Sequence, residues 1–165
     1  MGLEQKITAF KNETDMWKIV DLDDEANEFE STRLLALSVS AEKIRDKIDD
    51  LETNAETRVW DGWKFSALQG WVEGKNYGED INCRRVTIDG EELHSDIKSK
   101  LAALRSTDSN PNNPDLKILP PTFGFLYGSQ EEDECYVAAL EELDEFLDSV
   151  LEKFGALHLV YWNWF

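Results

Sequence analysis

Apolar positions recur along this chain at two periods, every second residue and every third or fourth, and the switches between them outline its elements. Residues 5–10 (QKITAF) and 16–21 read as two short strands around the polar turn KNETD, and DLDDEANEFES (21–31) as an acidic connector. Leu35, Leu37 and Val39 then alternate across 32–39, a strand pattern. Ser40 stands where it would cap a helix that carries Ile44, Ile48 and Leu51 on one side. Residues 58–72 (RVWDGWKFSALQGWV) are β-rich, and Asp61-Gly62 between Trp60 and Trp63 predicts a hairpin turn or a bulge. After the polar EGKNYGED, residues 81–88 (INCRRVTI) read as the next strand. Asp89 and Glu92 form a capping box for a helix striped with Leu93, Ile97, Leu101 and Leu104.

STDSNPNNPD (106–115) is nearly all turn formers, and 116–127 predicts a strand bent by Pro120-Pro121. The clearest signal follows. Ser129 with Glu132 predicts a helix start, and Gly155 stands where a glycine cap ends one. Between them Val137, Leu140, Leu143, Leu147, Val150, Leu151 and Phe154 recur at helical steps. The closing ALHLVYWNWF (156–165) is apolar at almost every position, as in a strand covered on both faces.

Together these elements predict one α+β domain, with helices packed on a mixed, largely antiparallel sheet. Residues 1–31 supply short N-terminal strands and the acidic connector. Residues 32–127 run β-α-β-β-α-β, the order of a ferredoxin-like unit, and 128–165 append a long helix and a terminal strand. At 165 residues, folding removes about 70% of the unfolded chain's surface from water, so a core needs neither disulfides nor a structural metal.

Charge narrows the functions available. The chain carries 35 Asp and Glu against 17 Lys and Arg, a formal net charge of −18. Such a surface repels nucleic acid, which is held by cations that displace counterions, and it repels anionic membranes for the same reason. No apolar run is long enough for a membrane helix and MGLEQKITAF has no signal-peptide core, so a cytoplasmic protein is expected. Cys83 and Cys135 show neither zinc nor redox spacing and are expected as buried thiols.

Catalytic patterns do not assemble. Glu91 and His94 have the Glu-x-x-His spacing of di-iron bundles, but once and on a short helix, which predicts a surface pair. His158, in the apolar terminal strand, is expected as a core histidine. DLDDEANEFE fails as a calcium loop, with Ala26 where the turn needs Gly and Thr32 where a bidentate Glu belongs. Phosphate-binding glycine loops and nucleophile elbows do not occur. No cofactor or metal is therefore expected. An enzyme or ligand-binding protein of this class would have to draw on scattered residues, of which Glu91, His94, Arg84 and Arg85 are the candidates. A structural subunit would pair its apolar terminal strand with another chain.

The acid itself remains. Glu141, Glu145, Asp148 and Glu152 follow i, i+4, i+7 and i+11 and share one helical face opposite the apolar stripe. A second band comprises Asp21, Asp23, Asp24, Glu25, Glu28 and Glu30. Either band serves as a solvated surface or as a docking face for a basic partner. The second reading predicts a non-catalytic protein that inhibits or neutralises a toxin, nuclease or nucleic-acid-binding protein, as an immunity protein or nucleic-acid mimic does. The six Trp are expected mainly in the core, with interface anchoring as their other use.

Overall fold

The computed structural model describes residues 2–31, 35–54, 56–77, 79–108, 110–124 and 131–165, and side chains of the second helix from residue 39 onward. The elements run β1 (Glu4–Phe10), α1 (Glu13–Ser31), α2 (Leu35–Glu52), β2 (Thr57–Trp63), α3 (Ser66–Lys75), β3 (Arg85–Asp89), α4 (Gly90–Arg105), a short 3-10 turn (Pro114–Lys117), α5 (Glu134–Phe154) and β4 (His158–Trp164). The fold is α+β. The four strands among the described residues lie in the order β2-β1-β4-β3, and every neighbouring pair is antiparallel.

Strand alternation sends side chains to two separate cores. Ile7 and Ala9 of β1, with Leu159 and Tyr161 of β4, face α3, α4 and α5. Phe10 and Val160 face the opposite way, onto Met16, Ile19 and Ala26 of α1 and Ile44 and Ile48 of α2. The sheet is thus the middle layer, with the α1–α2 pair on one face and α3, α4 and α5 on the other. β4 is central, as its continuous apolar run predicts. Both of its edges are taken, by β1 and β3, so it cannot pair with a second chain.

Several sequence expectations are corrected. Residues 16–31 are neither strand nor connector but most of α1, whose buried stripe is Met16, Ile19, Asp23 and Ala26. A carboxylate in that stripe breaks its apolar period. The 32–39 strand is replaced by the start of α2 at Leu35, which leaves Ser40 inside the helix rather than capping it; residues 32–34 lie outside the described residues. Asp61-Gly62 is neither turn nor bulge, since β2 pairs with β1 in one unbroken register. A Cβ on Gly62 would come 2.1 Å from the Trp60 ring, so glycine here is a seat for an indole. The β-rich reading of 58–72 overran because α3 begins at Ser66. Lys64, at φ 55°, turns the chain between the two.

Residues 118–124 form no strand, and 125–127 lie outside the described residues. The ferredoxin-like order therefore does not occur. Ser129 is also undescribed, and α5 is capped instead by Asp133, whose carboxylate accepts from the Tyr136 amide at 3.0 Å. Other signals held. Asp89 accepts from the Glu92 amide at 2.9 Å, and Gly155 closes α5 in the left-handed region at φ 73°. Both cysteines are exposed, contrary to expectation, and partial desolvation of the Cys83 thiol, with the nearby Asp80 charge, pushes its pKa up.

Candidate partner-binding surface

The two acidic bands lie on opposite faces of the sheet, because α1 belongs to one helical layer and α5 to the other. On α1, at about 100° per residue, Asp21, Glu25 and Glu28 share an outward face, and all three are exposed without a cationic partner among the described residues. Asp24 is exposed and paired with Arg84 at 3.2 Å. Glu30 pairs with Arg45 at 3.2 Å.

Asp23 points the other way and leaves the candidate surface. It is fully buried. Its Oδ1 accepts from Arg45 at 2.6 Å and from the Arg85 guanidinium at 2.9 Å, while Oδ2 accepts from the Arg85 amide at 2.8 Å and from Asn27 at 3.1 Å. Glu52 continues the chain of charges, accepting from Arg85 at 2.9 Å and from Lys6 at 3.1 Å. Burial pulls the Arg45 pKa down, but hydrogen bonds to Glu30 and Asp23 outweigh it and hold the guanidinium above its ordinary value. This network fastens the helical pair to β1 and β3. Sequence reading missed it because its members lie up to 79 residues apart, from Lys6 to Arg85.

On α5 the four expected carboxylates do share a face, and that face borders α4. Arg105 pairs with Glu141 at 2.7 Å. Asp148 takes Lys98 at 3.1 Å and His94 at 2.9 Å. Glu145 and Glu152 are left exposed with no cation among the described residues. The hydrogen bond from Lys98 holds the Asp148 pKa below the usual carboxylate range, and the hydrogen bonds to Asp144, then Asp148, raise that of Lys98. Among the described residues, His94, Asp144 and Asp148 place ligand-type atoms within 4.8 Å of one another. The Lys98 ammonium lies 3.1 Å from each of the two carboxylates, so it stands where a metal ion would.

The scattered catalytic candidates do not converge. Arg85 is buried in the Asp23–Glu52 network on the α1–α2 side, and Arg84 pairs with Asp24 there. His94 sits in the α4–α5 seam across the sheet, and Glu91 is exposed at the start of α4. His158 is half-buried rather than enclosed.

Tryptophan placement is the other departure. Of the six, only Trp60 is buried, at 7% exposure, whereas Trp17, Trp63 and Trp164 are 47%, 57% and 41% exposed. Cross-strand register puts Trp63, Glu4 and Trp164 in one row on the α1–α2 side of the sheet. The next row is Asp61, Lys6, Trp162 and Arg85. A recess of about 480 Å³ opens there, lined by Glu4, Gln5, Lys6, Asp61, Gly62, Trp63 and Trp162, and among the described residues neither helix contributes to its lining. Among the described residues, no helix is long and apolar enough to cross a membrane.

No protein-family model matches this chain, and neither a curated protein nor a solved structure does. Its class therefore rests on its own charge, shape and side chains.

Proposed function

We propose that this is an acidic, non-catalytic binding protein that inhibits or neutralises a basic partner of the nucleic-acid-binding kind, as an immunity protein or nucleic-acid mimic does. The observation that carries this reading is the uncompensated outward acid: Asp21, Glu25 and Glu28 on α1, and Glu145 and Glu152 on α5, face solvent without internal cations among the described residues. Internal pairing would have lowered the repulsion that a net charge of −18 brings. Because the bands lie across the sheet from each other, a partner docks on one of them or wraps an edge to reach both. Opposed fields raise association rates to about 10⁸–10⁹ M⁻¹s⁻¹ at low salt, which suits a neutralising protein.

The test is affinity capture from native lysate at about 50 and 500 mM salt, a change that shortens the Debye length from roughly 14 to 4 Å. The expected result is one basic protein, retained at low salt and weakened at high salt. Two charge-reversed proteins then separate the bands, one carrying Asp21→Lys, Glu25→Lys and Glu28→Lys, the other Glu145→Lys and Glu152→Lys. Glu141 and Asp148 are spared because reversing them would break the α4–α5 seam. Undiminished capture by both proteins would refute an acidic docking face.

A further inference from the structure

We propose that the open end of the sheet, where Trp63 and Trp164 flank Glu4, is the docking point for arginine side chains of a basic protein segment. This rests on the acidic-binder reading and gives it a specific surface. Neighbouring residues in a cross-strand row have Cβ atoms about 4.5–5.5 Å apart. The row Trp63–Glu4–Trp164 therefore sets a carboxylate between two exposed indoles, with Asp61 in the adjacent row. Glu4 and Asp61 have no cationic partner among the described residues.

The chain's own cations already use these rings. Lys64 lies 5.6 Å from the Trp63 ring, and Lys6 and Arg85 lie 5.7 and 5.9 Å from that of Trp162. Lys6 is neutralised by Glu52, so Lys64 is the positive group a ligand meets, against two carboxylates. Trp164 has no intramolecular cation over it among the described residues.

Charge complementarity selects the occupant. A nucleic-acid strand, which would also stack on indoles, is repelled by Glu4, Asp61 and the net charge of −18. A guanidinium is planar, weakly hydrated and able to stack on an indole while it donates two hydrogen bonds to a carboxylate, which an ammonium cannot do. The recess is on the same side of the sheet as the α1 band, so a segment held there approaches Asp21, Glu25 and Glu28 and not the α5 band.

Titration of the full chain with octa-arginine and octa-lysine peptides, followed by calorimetry at about 100 mM salt, tests the surface. Wild type should prefer octa-arginine. The doubly substituted W63A/W164A protein, unchanged in charge, should bind it about tenfold more weakly and lose the preference. E4Q/D61N should weaken binding more than E145Q/E152Q, which removes the same charge across the sheet. These paired amides keep the indoles, so they decide the matter even if the alanine variant is unstable. Equal binding by wild type and W63A/W164A, with E4Q/D61N no worse than E145Q/E152Q, would overturn this surface while leaving the acidic-binder reading standing. No binding of either peptide by wild type would overturn both. A wild-type dimer in sedimentation velocity that W63A/W164A converts to monomer would assign the face to a second copy of this chain and overturn the proposal.

Discussion

On one face of the sheet, α3, α4 and α5 meet β1 and β4 through a continuous apolar core that includes Leu68, Leu93, Ile97, Leu140, Leu143 and Leu147. On the other, α1 and α2 bury Met16, Ile19, Ala26, Ile44 and Ile48 among the described residues and are fastened by Asp23, Arg85, Arg45, Glu52 and Lys6. The first layer depends chiefly on shape and area, although it also buries Lys100, which donates to Glu132 at 2.6 Å, and the Gln5–Tyr161–Gln69 hydrogen bonds. The second depends on partners, and losing one of them leaves buried charges short of the partners that offset their burial. Such a network contributes little net stability compared with an apolar replacement, but it is expensive to break.

The largest effect should follow Asp23→Ala, which takes a buried carboxylate from both guanidinium groups and from the buried Arg85 amide, leaving Arg85 to Glu52 and Arg45 to Glu30 and Asn27. A loss of about 3–5 kcal/mol is expected, read as a drop in the urea midpoint. Amide exchange should show α1 and α2 losing protection before α5 does, since the ties to the sheet are confined to that layer. A uniform loss across both layers, or a cost below about 1 kcal/mol, would mean that the charges do not distinguish the layers.

Leu143→Ala probes the opposite layer at a fully buried position. The expected cost is about 2–5 kcal/mol, with protection falling throughout the chain because this core spans β1, β4 and three helices. Preserved protection in α4 and β1 would show the apolar layer to be less cooperative than its packing implies. Gly62→Ala tests shape more narrowly. The added methyl group would meet the Trp60 ring at 2.1 Å, and overpacking of this kind costs about 1–3 kcal/mol. A neutral result would show that the indole can slide aside.

The contrast between the layers also sets what the sequence discloses. α4 and α5 were legible because the stripes Leu93–Ile97–Leu101 and Leu140–Leu143–Leu147 are apolar, with the buried Lys100 beside the first, and because their ends carry Asp89 and Gly155, which act locally. β4 was legible as a central strand because nearly every position in it is apolar. α1 was not, since Asp23 occupies a core position and is tolerated only because Arg45 and Arg85, 22 and 62 residues away, neutralise it. Periodicity sees a helix through its own residues, whereas this helix is completed by other elements. The same holds at the candidate surface. Outward α1 acid could be read from helical spacing once the helix was known, but the row of Trp63, Glu4 and Trp164 joins three strands through register. The α5 band was legible as a face, though not as the border with α4.

The smallest effect should come from that border, where Lys98 bridges Asp144 and Asp148. Lys98 and Asp148 are about half exposed, at 48% and 53% of their side chains, so solvent screening reduces the pair to about 0.2–1 kcal/mol. The sign is fixed by the direction of the Asp148 shift. Its folded pKa lies below the unfolded value near 3.9, so its contribution is present above that value and lost as pH falls through the folded pKa. Lys98, raised in the folded state, contributes below its unfolded pKa of about 10.4 and loses that contribution as pH rises through the higher folded value. Lys98→Ala should therefore lower the urea midpoint slightly at pH 7, and that penalty should shrink as both proteins are taken below about pH 4. A penalty that stays constant to pH 3 would mean that Lys98 acts through its methylene stem packed on α5, making this seam steric rather than electrostatic.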